Sequence, residues 1–170
     1  MAPSDPTADA LHFLELTLTE AQATVRSYDT KAQIVGIGYT FALNIVAQVS
    51  SGFPDTADGL ISVLIFWTIV MAPLFLFGAV LYPSRKIAPK ISGTSDAHPR
   101  HLLYVETSRF ADVGALKSAS LHADWHDELS FEVLKTSRLR EIKRSRFIRA
   151  LAATALSFAV LCGRELTTLL

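Results

Sequence analysis

The longest apolar run of the chain lies between Leu60 and Tyr82. It carries no charged side chain, and its only polar groups are two hydroxyls and the tips of its aromatic residues. As a helix this run is about 34 Å long, and the hydrocarbon core of a bilayer is about 30 Å thick. A soluble helix of that length would show a polar face, so residues 60–82 are predicted to span a membrane. Pro73 is compatible with that prediction, because neighbouring helices can satisfy the carbonyl that it frees.

A different pattern occupies residues 1–32. Apolar side chains recur there every three or four positions, with charged and hydroxyl side chains between them. This spacing predicts an amphipathic helix, and Asp5-Pro6 is a typical helix start. The apolar stripe needs a partner surface, either in the same subunit or on a second copy in a homo-oligomer. Its members are Leu11, Leu14, Leu18, Ala21, Val25, Tyr28 and Ala32.

Residues 33–49 follow without a helix breaker and contain no charge. They predict a first membrane span that continues the amphipathic helix. Small or polar side chains recur in it every four residues and share one face of the helix. In lipid, such a face must turn toward protein or water, so it is either a helix–helix contact or the wall of a conducting path in an oligomer. The members of this face are Gly36, Thr40, Asn44 and Gln48.

The polar region 83–146 predicts two further helices. One is expected from about His101 to Trp125. The other begins near Asp127 and runs into a third predicted span, residues 147–163, whose one charged side chain, Arg149, lies near its start and can reach back to the interface. Small residues spaced by four give this last span a ridge that suits close helix approach. They are Ala155, Ala159 and Gly163.

The distribution of positive charge predicts the orientation. The loop 50–59 holds no Lys or Arg, and the tail 164–170 holds only Arg164; all other basic residues lie in residues 1–32, in 83–146, or at the edge of the last span. By the positive-inside rule, the loop and the tail lie outside. The predicted fold class is therefore an all-α membrane protein with three transmembrane helices, N-terminus inside and C-terminus outside. Its cytoplasmic helical module comprises the N-terminal amphipathic helix and a two-helix insertion before the last span.

Composition and motifs exclude several functions. The 170 residues include 16 basic and 16 acidic ones, so the net charge is zero, and Cys162 is the single cysteine. His122 and His126 are four residues apart on a predicted helix, but no third ligand follows at metal-binding spacing. The sequence contains no glycine-rich phosphate loop and no nucleophile motif. We therefore expect no catalytic residues, no metal and no cofactor, and the protein is not expected to be an enzyme.

Basic residues crowd the stretch from Arg138 to Arg149, which leads into the last span. They can anchor anionic lipid head groups, at about 1 kcal/mol per charge near the surface. Alternatively, some of them bind an anionic ligand such as a nucleotide phosphate. Nucleic acid is disfavoured as a partner, because the cluster lies against the predicted bilayer and no aromatic residues interleave it.

Three elements in a fixed order carry a resemblance to a known family. The first is Asp29-Thr30-Lys31-Ala32 at the mouth of the first span. The second is Leu102-Leu103-Tyr104 followed by Phe110-Ala111-Asp112, and the third is the charged helix Glu132–Lys143 that runs into the last span. In this order, from about Leu11 to Gly163, the chain resembles the small transmembrane effector of Pycsar anti-phage systems. Where that family has a lysine–aromatic pair, this chain has Lys143-Arg144-Ser145-Arg146-Phe147.

The resemblance implies an effector of the cell inner membrane. A partner uridylate or cytidylate cyclase would make a cyclic pyrimidine nucleotide, cUMP or cCMP. This activating ligand would cause the effector to impair the membrane, which leads to abortive infection. The expected partners are membrane lipids, the nucleotide, the cyclase as a functional partner, and further copies of the chain. The alternative is a constitutive membrane scaffold or assembly subunit that has no ligand.

The resemblance also places the sensing step in the cytoplasmic helices, because the sequence contains no separate nucleotide-binding domain. The candidate ligand-binding residues are Arg26, Asp29, Lys31, Arg138 and Lys143.

Overall fold

The computed structural model describes residues 6–49, 59–82 and 110–169. All regular secondary structure in these ranges is helical, which confirms the predicted all-α class. In chain order the helices are α1 (Pro6–Val49), α2 (Leu60–Leu81), α3 (Val113–Leu121) and α4 (Trp125–Leu169). The predictions for residues 1–5, for most of the loop 50–59 and for the helix before Phe110 lie outside the described residues.

The chain divides into two compact units, and the division falls within both long helices. The first unit comprises residues 1–26 and 83–141, and the second comprises residues 27–82 and 142–170. In the first unit, the described helices are the first part of α1, the whole of α3 and the first part of α4. The second unit consists of the rest of α1, all of α2 and the rest of α4.

Helix α1 begins at Pro6, as the sequence predicts, and continues without interruption to Val49. The apolar stripe along its first half is covered by the chain's own side chains: Leu18, Ala21 and Val25 are all buried. The structure therefore supports packing of the stripe within the subunit.

The helix predicted from His101 to Trp125 has a start that lies outside the described residues, and from Phe110 onward it is wrong in two places. Phe110–Asp112 is not helical, and α3 is nine residues long. Asp112 lies in an extended conformation and its carboxylate accepts a hydrogen bond from the Ala115 amide at 2.7 Å, so it caps the start of α3. A capping aspartate stops the helix from continuing backwards through it.

A second capping aspartate separates α3 from α4. The Asp124 carboxylate accepts hydrogen bonds from the backbone amides of His126 and Asp127, at 2.9 and 3.3 Å. The chain is therefore not helical between Leu121 and Trp125. As a result, His122 and His126 do not share a helix face, and the prediction that they do is wrong.

Among the described residues, two helices and not the expected three are long and apolar enough to cross a membrane. They are α2 and α4, whose apolar 18-residue stretches have mean hydropathies of 2.5 and 1.5. The uncharged half of α1 is not among them, and it contains the polar side chains of Gln33, Asn44 and Gln48. Helix α4 also continues beyond the predicted last span, so the expected tail after Gly163 is helical as far as Leu169.

The second unit has a thin core that draws on all three of its helices. One buried cluster joins Ala32 of α1 and Ala150 of α4 to Phe77 and Val80 of α2. Both alanines are fully buried. Small residues at such contacts let helix backbones approach closely. A second cluster is formed by Phe66, Val70 and Leu161.

A buried polar contact links the same three helices. The Tyr39 hydroxyl donates to the Val70 carbonyl oxygen at 2.7 Å, and it also contacts the Ser157 hydroxyl. A phenol has one proton and a carbonyl has none, so Ser157 Oγ donates to Tyr39 Oη. Tyr39 is 2% exposed and Ser157 is fully buried. The Tyr39 hydroxyl thus ties α1 to both α2 and α4.

We predict that Tyr39→Phe lowers the free energy of unfolding by about 1 kcal/mol, because it removes both contacts from the core. The measurement is a denaturation curve of the purified protein in detergent micelles. Thr68→Val is the control, since the Thr68 hydroxyl is exposed and donates to the Leu64 carbonyl of its own helix. Equal losses in the two variants would contradict the assignment.

Candidate functional site

Asp29 and Lys143 lie side by side in the second unit, although 114 residues separate them in the chain. The Lys143 ammonium donates to Asp29 Oδ1. The Lys143 side chain is 1% exposed, and that of Asp29 is 33% exposed. A buried ammonium is costly unless it is paired and hydrogen-bonded. Two of the predicted ligand contacts therefore bind each other in this conformation.

The element Asp29–Ala32 contains two further residues with separate roles, Lys31 and Ala32. Lys31 is exposed, and its ammonium lies 5.9 Å from the ring centroid of Tyr28, within reach of a cation–π contact. Ala32 is fully buried against α2 and α4. A helix places residues three apart on the same side, so Asp29 and Ala32 both face α4 while Lys31 faces outward. The element thus combines a charge contact and a close helix contact.

Aromatic rings continue this contact beyond the ion pair. The rings of Tyr28 and Phe147 lie 5.9 Å apart, and those of Phe147 and Phe77 lie 6.4 Å apart. Lys143 and Phe147 are four residues apart, so they occupy one face of α4. Lys143 and Phe147 therefore lie on the face of α4 that meets α1.

Arg146 connects α4 to the end of α2. Its guanidinium donates to the Ala79 carbonyl oxygen at 2.8 Å. Ala79 belongs to the last turn of α2, where the carbonyls have no partner within the helix. Arg146 therefore caps the C-terminus of α2.

The remaining ligand candidates, Arg26 and Arg138, belong to the first unit, where both are exposed. The structure thus brings Asp29 and Lys143 together and leaves Lys31 open to solvent. A role for any of the five residues in ligand binding stays a prediction.

The predicted small-and-polar face of the first span divides into two parts. Gly36 faces α2, since a Cβ added there would lie 3.6 Å from the Phe77 Cβ. Thr40, Asn44 and Gln48 are exposed. Thr40 Oγ1 donates to the Gly36 carbonyl at 2.9 Å, and Gln48 Nε2 donates to Asn44 Oδ1 at 2.7 Å. Gly36 is thus an internal helix contact, whereas the two amides point away from the subunit.

The small-residue ridge of α4 also points away from the subunit. Ala155, Ala159 and Gly163 are all exposed. A Cβ added at Gly163 would meet nothing within 4 Å. Among the described residues, no other helix uses this ridge.

The first unit contains an open groove of about 680 Å³ that the sequence did not predict. Its walls are Leu11, Glu15, Leu18, Thr19, Trp125 and Leu129. These residues come from the start of α1 and the first turns of α4, and their pairing depends on tertiary structure. The described lining contains a carboxylate and no Lys or Arg, so it offers no charge partner for a phosphate.

The described ranges contain no group of three or more His, Cys, Asp or Glu side chains arranged to hold a metal ion. His122 Nδ1 instead lies 2.8 Å from the Ser118 carbonyl oxygen, at the end of α3.

A family model described as the Pycsar effector protein domain matches residues 13–168, nearly the whole chain. The chain belongs to the Pycsar effector family. Membership confirms the resemblance carried by the sequence elements around Asp29, Phe110 and Lys143, all of which lie inside the matched region. It also makes this Pycsar effector a transmembrane protein of antiviral defence. Neither the curated proteins nor the solved structures yield a match.

For this Pycsar effector we predict unequal effects from the two halves of the ion pair. Asp29→Ala leaves a buried ammonium without its carboxylate, so the free energy of unfolding should fall by about 3 kcal/mol. Lys143→Met should cost only about 1 kcal/mol, because the partly exposed Asp29 can be hydrated and methionine fills a similar volume. The double variant should be more stable than Asp29→Ala alone.

Denaturation curves in detergent micelles measure all three variants. Glu141→Gln is the matched control, since Glu141 pairs with Arg140 at an exposed site, and such pairs contribute little. If Asp29→Ala and the double variant lose the same free energy of unfolding, the pairing has no energetic role.

Proposed function

We propose that this protein is an inner-membrane effector that a cyclic pyrimidine nucleotide, cUMP or cCMP, switches to a membrane-impairing state. The family match over residues 13–168 carries the proposal. A partner cyclase supplies the nucleotide during infection. Loss of membrane integrity then stops the infected cell before phage mature, so the outcome is abortive infection.

The proposed arrangement has three spans, and the exposed side chains of α1 support the first. Large apolar residues cover its outward face over several turns, with 59–68% exposure. Fully burying such a side chain is worth about 1.5–3 kcal/mol, so leaving this face in water would be unfavourable. Contact with lipid removes that cost. The residues are Ile34, Ile37, Phe41 and Ile45.

The positive charges support an orientation with the N-terminus and residues 83–146 inside the cell and the C-terminus outside. Lys31 lies just before the uncharged half of α1, and the basic residues of α4 precede its uncharged half, whereas Arg164 alone follows it. This is the asymmetry that the positive-inside rule describes.

The ion pair limits how a nucleotide engages this protein. A ligand shifts a conformational equilibrium only by binding one state better than the other. Lys143 is buried against Asp29, so a phosphate reaches Lys143 only in a state where that pair has opened. Lys31 is exposed and is free of that constraint. Binding that requires the pair to open would couple the nucleotide to the packing of α1 against α4.

We predict that cells lose membrane potential only when the effector and an active cyclase are present together. A potential-sensitive dye measures the response, and cells with the effector plus an inactive cyclase are the control. Calorimetry of the purified effector with cUMP, cCMP and a purine cyclic nucleotide then identifies the ligand. An unchanged potential, together with harmless expression and no binding, would favour the constitutive scaffold instead.

We further predict that the C-terminus and residues 83–109 lie on opposite sides of the membrane. Alkaline phosphatase fused after Leu170 should be active, because it folds only outside the inner membrane. The same enzyme fused within residues 83–109 should be inactive, and a fluorescent protein fused there should be bright. An inactive C-terminal fusion would show that the protein has two spans or the reverse orientation.

A further inference from the structure

We propose that α1 binds α1 of a second copy of this chain through the amide side chains of Asn44 and Gln48. Both side chains are exposed and lie on the uncharged half of α1. Their neighbours Phe41 and Ile45 are large, apolar and 68% and 64% exposed. The two amides therefore sit on a surface that otherwise fits lipid. The inference rests on the three-span arrangement proposed above, but not on the nucleotide.

The hydrogen bonding of the two amides is incomplete within the subunit. Gln48 Nε2 donates to Asn44 Oδ1, and among the described residues neither side chain has another partner. This leaves the Asn44 NH₂ group as a donor and the Gln48 carbonyl oxygen as an acceptor. In hydrocarbon, unpaired amide groups are costly, so they turn toward protein or water.

Membrane insertion determines which groups can meet. All copies enter the bilayer in the same orientation, so Asn44 and Gln48 of one copy lie at the same depth as those of the next. A two-fold axis along the membrane normal then brings identical faces together. The Asn44 donor of each copy can bond the Gln48 acceptor of the other, so a reciprocal pair of hydrogen bonds completes both amides.

A second copy fits this face better than a water-filled path does. Thr40 already satisfies its hydroxyl within its own helix, by donating to Gly36. Ile37 lies seven residues before Asn44, on the same side of the helix, and is 59% exposed. The incompletely bonded polar groups therefore lie at one end of this face, and the rest of the face is apolar. That combination is typical of a helix–helix contact.

Disulfide cross-linking in membranes tests the inference without altering the amides. In a Cys162→Ser background, Ile37→Cys places a thiol on the proposed contact face, and Ile45→Cys places one on an adjacent face as the matched control. After oxidation, Ile37→Cys should run as a dimer on a non-reducing gel, and Ile45→Cys should remain monomeric. Equal cross-linking at both positions, or none at either, overturns the proposal.

A second comparison asks whether the amides hold the contact. Adding Asn44→Leu and Gln48→Leu to Ile37→Cys should reduce the dimer fraction roughly tenfold, since two interhelical hydrogen bonds are lost. Leucine favours insertion, so these variants stay in the membrane. Undiminished cross-linking overturns the proposal. So does labelling of Ile37→Cys by a membrane-impermeant maleimide without cross-linking, which would show that this face lines water.

Discussion

Large apolar side chains cover the outside of the second unit, and the rest of its structure depends on their being kept from water. Ile34 and Phe41 of α1, Phe75 of α2 and Leu156 of α4 are more than half exposed. In the proposed three-span arrangement lipid covers this surface, so the hydrophobic effect does not drive the helices together. Close packing and hydrogen bonds must do so. The thin core reflects this, since it relies on Ala32, on Ala150 and on the Tyr39 hydroxyl.

The Asp29–Lys143 pair adds a constraint where the charged part of each long helix gives way to the uncharged part. Each residue lies shortly before the apolar segment of its own helix, and the pair connects those two positions. The element Asp29–Ala32 therefore has a structural role in this chain. Its aspartate holds a buried lysine, and its alanine lets the helices approach.

Periodicity and composition predicted the features that depend on neighbouring residues. The start of α1 at Pro6, its continuity to Val49 and nearly the whole of α2 follow from helix-start signals and from unbroken apolar runs. The bounds of α3 did not, because Asp112 and Asp124 act as caps only when the chain adopts the matching backbone conformation. Their sequence alone is equally compatible with a place inside a helix.

The sequence selects Asp29 and Lys143 by residue type as candidate ligand contacts, and that role stays a prediction. Nothing in the sequence indicates that the two side chains pair with each other. The groove between the first parts of α1 and α4 was missed for the same reason, because the apolar residues that line it cannot be distinguished in the sequence from ordinary core residues. In both cases the decisive information is which faces of α1 and α4 meet.

In the proposed three-span arrangement, the outward faces of α1, α2 and α4 in the second unit all contact lipid. Electron paramagnetic resonance of spin labels at Phe41, Phe75 and Leu156 in bilayers measures that contact. All three labels should collide more often with dissolved oxygen, which concentrates in hydrocarbon, than with a water-soluble nickel complex. A label at Phe41 that favours the nickel complex would place α1 in water and contradict the three-span arrangement.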